Sequence, residues 1–301
     1  MKVAVMGAGA VGCYFGAMLA RAGHDVTLIA RPQHVEAIGQ RGLMFESRGF
    51  NGAIPVQATI EPSGVEGADI VLFCVKSADT EAAGQSIARY LKPDVTVLCL
   101  QNGVDNAERL QSTIGKIAVP AIVYVATEMA GPGHLRHHGR GELIIGPAPA
   151  CADIARQFSE AAIPTTVSDN VIGDLWAKLI TNCAYNALSG VAQLPYGAML
   201  KVKGVTDVIE TVIAECLSVA HAAGISVPAD VKQAVFALAE AVPGQSSSTA
   251  QDLARGKLTE IDYLNGYVVR KGAALGIATP ANLALQVMVK LREAHHQHSR
   301  S

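Results

Sequence analysis

Hydrophobic and polar positions follow two rhythms along this chain, and the change falls near residue 168. In the first part, short apolar runs recur between helical segments. Residues 2–6 (KVAVM) read as a buried strand, 10–22 as a helix of small residues and 25–30 (DVTLIA) as a second strand. That is one βαβ unit in about thirty residues. Further runs stand at 69–75 (DIVLFCV), 95–100 (VTVLCL) and 119–125 (VPAIVYV), separated by helical or turn material such as DTEAAGQSIARYL. Continuous apolar strands alternating with helices predict a mostly parallel sheet covered on both faces. The stretch HLRHHGRGELIIG (134–146) reads as a hairpin that adds antiparallel edge strands.

Beyond residue 168 helical periodicity dominates, over 170–190, 205–223, 229–241, 246–256, 259–275 and 281–296, with breaks at Pro195, Gly224 to Pro228, Pro243-Gly244 and Pro280. The expected fold is α/β: a Rossmann-type doubly wound sheet over residues 1–168 and an all-α domain over residues 169–301. No repeat of fixed period and no low-complexity linker interrupts the chain. A substantial interface between the domains is therefore expected, with the cleft between them as the ligand site.

The helix DLWAKLITNCAYNALS (174–189) carries Leu175, Trp176, Leu179, Ile180, Cys183, Ala184, Ala187 and Leu188 on one side, the spacing of a well-buried face. The opposite side stacks Lys178, Asn182 and Asn186 at intervals of four. A solvated stripe is ordinarily rich in Glu, Lys and Arg, yet no charged residue follows Lys178 until Lys201. Amides and one ammonium suit a face that meets a polar ligand.

Composition narrows the classes of function. Half of the 301 residues are hydrophobic, 17 % are charged and the formal net charge is −2, so there is no electrostatic case for a nucleic-acid or membrane-surface partner. The longest uncharged run, LITNCAYNALSGVAQLPYGAML, holds Asn, Gln and Pro and is too polar and broken for a spanning helix. The opening MKVAVMGAGAVG passes directly into a strand and a glycine turn, unlike a signal peptide. Six cysteines at 13, 74, 99, 151, 183 and 216 form no CxxC pair and read as buried thiols of a reducing cytoplasm. His134, His137, His138 and the terminal HHQH lack carboxylate or cysteine support, so no metal site is expected. Assembly is open between a monomer and a homodimer.

Gly7-Ala8-Gly9-Ala10-Val11-Gly12 fits G-x-G-x-x-G directly after a strand and opening a helix. In that context the first glycine makes the tight turn, the second admits a pyrophosphate to the backbone N–H groups, and the third lets helix and sheet pack closely. An NAD site usually has an acidic residue at the end of the second strand to bind the ribose. Here Arg31 stands nineteen residues after Gly12, and a guanidinium suits the 2′-phosphate of NADP. Lys76 and Asn102 follow two further strands at the carboxyl-end rim, where such sheets bind ligands. On position alone, a solvated Lys and a common Asn-Gly turn explain them equally well.

Reduction of a 2-oxo acid turns a carbonyl into an alkoxide that needs a proton and a positive neighbour. Lys178 in a partly desolvated site can supply both, with Asn182 and Asn186 orienting polar substrate groups. The run from Gln245 to Ser248 reads as a helix N-cap that also favours an anion. Glu260 reads as the start of a helix after Thr259, placed there by the helix dipole, or as a partner of Lys178 or of a ligand hydroxyl.

Taken together, GAGAVG with Arg31, VKS with Lys76, QNG with Asn102, LWxKLxxNxxxN with Lys178, Asn182 and Asn186, and SSxxxD followed by TEIDYLNG resemble the ketopantoate reductase family over essentially the whole length. The resemblance implies that Gly7 to Gly12, Arg31, Lys76, Asn102, Ala126 and Glu260 hold NADPH. It makes Lys178 the general acid, assisted by Glu260, and has Asn102, Lys178, Asn182, Asn186 and Ser248 bind the 2-oxo acid. The implied reaction converts 2-dehydropantoate to D-pantoate in pantothenate biosynthesis. Tyr196 and Gln245 depart from the pattern, standing where some members carry substrate-contacting Asn. Two alternatives stay open: a related NAD(P)-dependent 2-hydroxy acid dehydrogenase with another substrate, and a non-catalytic NADP-binding sensor.

Overall fold

The computed structural model describes residues 1–298 and divides into two compact units, Met1–Val171 and a second that begins at Ile172. The first unit opens with β1 (Lys2–Met6), α1 (Ala10–Arg21), β2 (Asp25–Ile29) and α2 (Pro32–Arg41). Three short strands follow, β3 (Leu43–Ser47), β4 (Phe50–Ile54) and β5 (Gln57–Thr59). After them come β6 (Ile70–Phe73), α3 (Thr80–Ala88), β7 (Thr96–Cys99), α4 (Asn106–Ile114), β8 (Ala118–Gly131), β9 (His134–Ile145), α5 (Cys151–Glu160) and β10 (Thr165–Val167).

The strands form one sheet in the order β4-β3-β9-β8-β7-β6-β1-β2-β5, with β10 beside β9. From β8 to β5 every neighbouring pair is parallel. Val3 and Val5 pack with Cys13, Phe15, Leu19 and Leu28 on one face. Ala4, Val71, Phe73 and Val97 pack with Ile87, Leu91, Leu110 and Ile114 on the other. Both faces of these strands are thus covered, as their uninterrupted apolar sequences require.

Residues 134–146 do not fold into a hairpin of their own. His134–Ile145 is a single strand whose antiparallel partner is the long β8, joined through a turn at Pro132 and Gly133, the latter at φ +60°. Nor does β9 lie at an edge, because it also pairs in parallel with β3 and β10. The continuous apolar run ends near Val125, but backbone pairing continues through ATEMAG opposite HLRHHG (134–139) because β8 and β9 satisfy each other's peptide groups there. The register shifts on both sides of the Val125-Ala126 dipeptide. Across from it, Gly139, Arg140 and Gly141 have φ of +152°, +62° and +153°, the local twist expected of bulges.

The second unit contains α6 (Val171–Ala192), α7 (Tyr196–Met199), α8 (Val205–Ala222), α9 (Val231–Ala241), α10 (Ser248–Ala254), α11 (Asn265–Leu275) and α12 (Pro280–His298). The expected helix over 259–275 is broken: Ile261–Tyr263 is a 3-10 turn and α11 starts only at Asn265. Asn265 is fully buried and donates to the Cys183 carbonyl at 3.2 Å and to Asn282 Oδ1 at 3.0 Å, which ties the start of α11 to α6 and α12. Glu215 on α8 accepts from the backbone N–H groups of Ala281 and Asn282 at 2.8 and 3.0 Å, capping α12 from outside.

Candidate active site

The glycines of the turn are of two kinds. A Cβ at Gly7 would lie 2.7 Å from the Val75 nitrogen, and one at Gly12 would lie 2.6 Å from the Gly7 carbonyl oxygen. Gly7 also sits at φ +96°, a region costly for L side chains. These two glycines serve the internal packing of turn, helix and strand. Gly9 differs, because a Cβ there would meet nothing within 4 Å. It is the N-cap of α1 and offers no side-chain cap, and the N–H groups of Ala10, Val11 and Gly12 have no backbone acceptor among the described residues. An open face in front of uncapped donors fits a phosphate group.

Around this turn stand the other rim residues. Arg31 is exposed at the end of β2 and is the N-cap of α2, with Pro32 in the first helical position. Lys76 lies beyond β6 in extended backbone before a 3-10 turn at Ser77–Asp79. Asn102 follows β7, and Gly103 after it takes φ +106°. Ala126 lies in β8 between the two register shifts. The parallel strands therefore bring Gly7 to Gly12, Arg31, Lys76 and Asn102 to one carboxyl-end rim, with Ala126 on the bulged strand.

A polar network beneath the rim was not anticipated from the sequence. Ser77, Thr80, Gln101 and Asn106 are 0, 0, 6 and 2 % exposed. Asn106 Nδ2 donates to the Asn102 carbonyl at 2.6 Å and to Ser77 Oγ at 3.2 Å, and Ser77 Oγ donates to the same carbonyl at 3.0 Å. Arg109 donates to Asn106 Oδ1 at 3.1 Å and to the Ser77 carbonyl at 3.0 Å. It also forms a two-pronged pair with Glu81 at 2.7 Å on each prong. That hydrogen-bonded guanidinium holds the Glu81 carboxyl below its ordinary range. The available signal was polar residues one helical turn beyond the rim, Asn106 four places after Asn102 and Thr80 four after Lys76.

In the second unit, α6 buries Leu175, Trp176, Leu179, Ile180, Cys183, Ala184 and Ala187, as its periodicity predicts, while Leu188 is half-buried. Lys178 and Asn182 are half-buried and Asn186 is 4 % exposed. Steps of four residues place the three about 6 Å apart along one face. The Asn186 carbonyl accepts from Ser247 Oγ at 3.2 Å, but among the described residues neither the Asn182 nor the Asn186 side-chain amide makes a hydrogen bond. Amides with hydrogen-bonding capacity left open are suited to a polar ligand.

Within the run from Gln245 to Ser248, read as an N-cap, Ser247 is the residue that caps α10, accepting from the Ala250 N–H at 3.0 Å; Ser248 is exposed in the first helical position. One expected role shifts: Glu260 does not begin an α-helix, but precedes the 3-10 turn and is half-buried. Tyr196 is 5 % exposed and packs against Tyr185 at a centroid distance of 4.8 Å, while burial pushes its phenol up to about 12. Its N–H donates to the Gln245 carbonyl at 2.9 Å, so the two departures from the expected pattern are neighbours.

All six cysteines are free, and burial pushes the Cys13 and Cys99 thiols up to about 12, which keeps them protonated and unreactive. Among the described residues no cluster of three His, Cys, Asp or Glu side chains could hold a metal, and no helix is long and apolar enough to cross a membrane.

A parallel sheet with a glycine turn and uncapped donors at its carboxyl rim defines a dinucleotide-binding unit, here followed in the chain by an all-helical unit. Comparison with known proteins specifies the class. Residues 3–150 match the family model "Ketopantoate reductase PanE/ApbA", and residues 170–293 match its C-terminal counterpart. The chain belongs to the ketopantoate reductase family and is an oxidoreductase using a nicotinamide cofactor. It is 32 % identical to the 2-dehydropantoate 2-reductase of Pyrococcus horikoshii over 98 % of each chain. A crystal structure of a PanE/ApbA family ketopantoate reductase from Ralstonia eutropha JMP134 is 57 % identical, with a TM-score of 0.96 over 99 % of this chain and 100 % of that one. A D-mandelate dehydrogenase solved with NADH and anilino(oxo)acetate is 28 % identical, with a TM-score of 0.91 over the same shares.

Proposed function

We propose that this chain reduces 2-dehydropantoate to D-pantoate with NADPH. The observation that carries the reading is the α6 stripe: one ammonium and two amides on one face, with neither amide hydrogen-bonded among the described residues. When bound, NADPH supplies the hydride. Lys178 donates a proton to the oxygen that was the substrate carbonyl and counters its developing charge. Asn182 and Asn186 bind the hydroxyl and carboxylate groups of the 2-oxo acid, joined by Ser248 and Asn102. The uncapped start of α1 receives the pyrophosphate, and Arg31 pairs with the 2′-phosphate that distinguishes NADPH from NADH. Lys76, Asn102 and Ala126 complete the cofactor site, and Glu260 holds substrate and cofactor in register with Lys178. The setting proposed is the reducing cytoplasm, which suits the buried free thiols of Cys13, Cys99, Cys151, Cys183 and Cys216.

A second reading has a specific observation behind it. The structural likeness to a D-mandelate dehydrogenase, with the aromatic Tyr196 buried beside Gln245, supports a 2-oxo acid with an aromatic side chain. NADPH oxidation by the purified protein with 2-dehydropantoate and with phenylglyoxylate separates the two. A larger kcat/KM for 2-dehydropantoate is expected; preference for phenylglyoxylate transfers the assignment to the second substrate. No turnover of either one ends both.

A further inference from the structure

We propose that Asn106, with Ser77, is a positioning residue for the cofactor site: by holding the Asn102 carbonyl it fixes the peptide that aims the Asn102 side chain at NADPH. The inference rests on the reading of Asn102 as a cofactor contact. Asn102 follows β7 and is joined to Gly103 at φ +106°, a backbone state that short-range sterics do not enforce by themselves. Two donors converge on its carbonyl, Asn106 Nδ2 at 2.6 Å and Ser77 Oγ at 3.0 Å. One comes from the first turn of α4 and the other from the loop that carries Lys76. The same two side chains are bonded to each other at 3.2 Å. The loops after β6 and β7 therefore cannot move independently without breaking a bond buried from water.

The placement of donors and acceptors gives Asn106 two separable tasks. Its Oδ1 accepts from Arg109 at 3.1 Å and from Thr80 Oγ1 at 3.4 Å, anchoring it to the helices. Its Nδ2 faces the rim. Asn106→Asp keeps the acceptor side and the shape while removing both donors. It also sets a carboxylate oxygen against the Asn102 carbonyl and gives the Ser77 hydroxyl a competing acceptor. The Asn102 peptide then loses both restraints, and the helix start tolerates an acid well.

The test is a double-mutant cycle on NADPH affinity, read by quenching of protein fluorescence, with thermal melting recorded for each variant. Asn106→Asp is expected to raise the Kd for NADPH about tenfold, the weight of a buried hydrogen bond to a positioned group. It should lower kcat at saturating NADPH less than about threefold. In an Asn102→Ala background the same substitution is expected to change Kd less than about twofold, because the side chain being aimed is gone. A role confined to holding the domain together would instead give equal effects in both backgrounds, and that result overturns the inference. So does an Asn106→Asp protein that is folded and binds NADPH as the unaltered chain does. If Asn106→Asp melts below the assay temperature, Ser77→Ala removes the other donor and carries the same cycle with the same expected loss of additivity. Failure of the unaltered chain to bind NADPH overturns the cofactor reading and the inference together; normal binding with additive effects overturns the inference alone.

Discussion

The rim beneath Asn102 and the polar stripe of α6 use the same side-chain chemistry for opposite ends. At the rim, the amides of Gln101 and Asn106 spend their hydrogen bonds inside the protein, on Thr80, Ser77 and the Asn102 carbonyl. On the stripe, the amides of Asn182 and Asn186 spend none among the described residues, although Asn186 is slightly more buried than Gln101. Satisfied amides make shape, and unsatisfied ones keep capacity for a ligand. On the proposed function, the cofactor is met by a prebuilt rim, whereas the substrate is met by groups with bonds left to make.

The largest effect expected from this contrast is at Lys178. Lys178→Ala should lower kcat roughly 10² to 10⁴-fold, the range for a positioned acid, with NADPH affinity little changed. Steady-state kinetics with titrated NADPH checks it, and unaltered turnover removes Lys178 from the chemistry. Next comes Arg31→Ala, expected to weaken NADPH by roughly 10- to 100-fold through loss of a charge-assisted contact while leaving NADH nearly unaffected. Equal losses for both cofactors would cancel the 2′-phosphate assignment.

The glycine turn allows a sharper division between internal and external roles. Gly12→Ala places a methyl against the Gly7 carbonyl and Val5 and should destabilise the fold by about 1–3 kcal/mol, visible in chemical denaturation. Gly9→Ala has open space, so the same measurement should detect little, while NADPH binding weakens. A smaller effect is expected on the stripe: Asn186→Ala should raise KM for the 2-oxo acid by about three- to tenfold without loss of stability, since it breaks no internal side-chain bond. A marked fall in melting temperature would show that this amide serves the core after all.

The smallest effect concerns the outer edge of the rim. Glu81 is held ionised by Arg109, so its folded pKa lies below the unfolded value. The stability it contributes is present above the ordinary carboxylate pKa and is lost as the pH falls through the depressed one. With its side chain 47 % exposed, Glu81→Gln should cost no more than about 1 kcal/mol near pH 7. That difference should close on acidification, as denaturation at a series of pH values would record.

Much of the architecture was legible because burial on both faces of a parallel sheet demands unbroken apolar runs, and because helices need a 3.6-residue period. β1, β2, β6 and β7 and most helices of the second unit follow from those demands; the four-residue α7 was not among those expected. β3, β4 and β5 escaped because LMFES, FNGAI and QAT mix exposed and buried positions over three to five residues, too short for a period to register. The long β8–β9 pairing escaped because its far half has only isolated apolar side chains such as Met129 and Leu135 among polar and glycine positions, and is continued by peptide groups through the bulges. Glu260 was misplaced because TEIDYLNG has helical composition, whereas burial of Asn265 against α6 and α12 starts the helix five residues later.

The chain's own order of residues determined which groups are available for chemistry: the glycines of the turn, Arg31 after the second strand, and Lys178, Asn182 and Asn186 on one helical face. Those depend on spacing within single elements, where geometry is local and periodic. Only the tertiary structure decided which polar groups are already spoken for. Whether an amide has a partner depends on residues far away in the chain, as when Ser77 and Asn106 converge on the Asn102 carbonyl, and a hydrogen bond between distant segments leaves no period in the sequence.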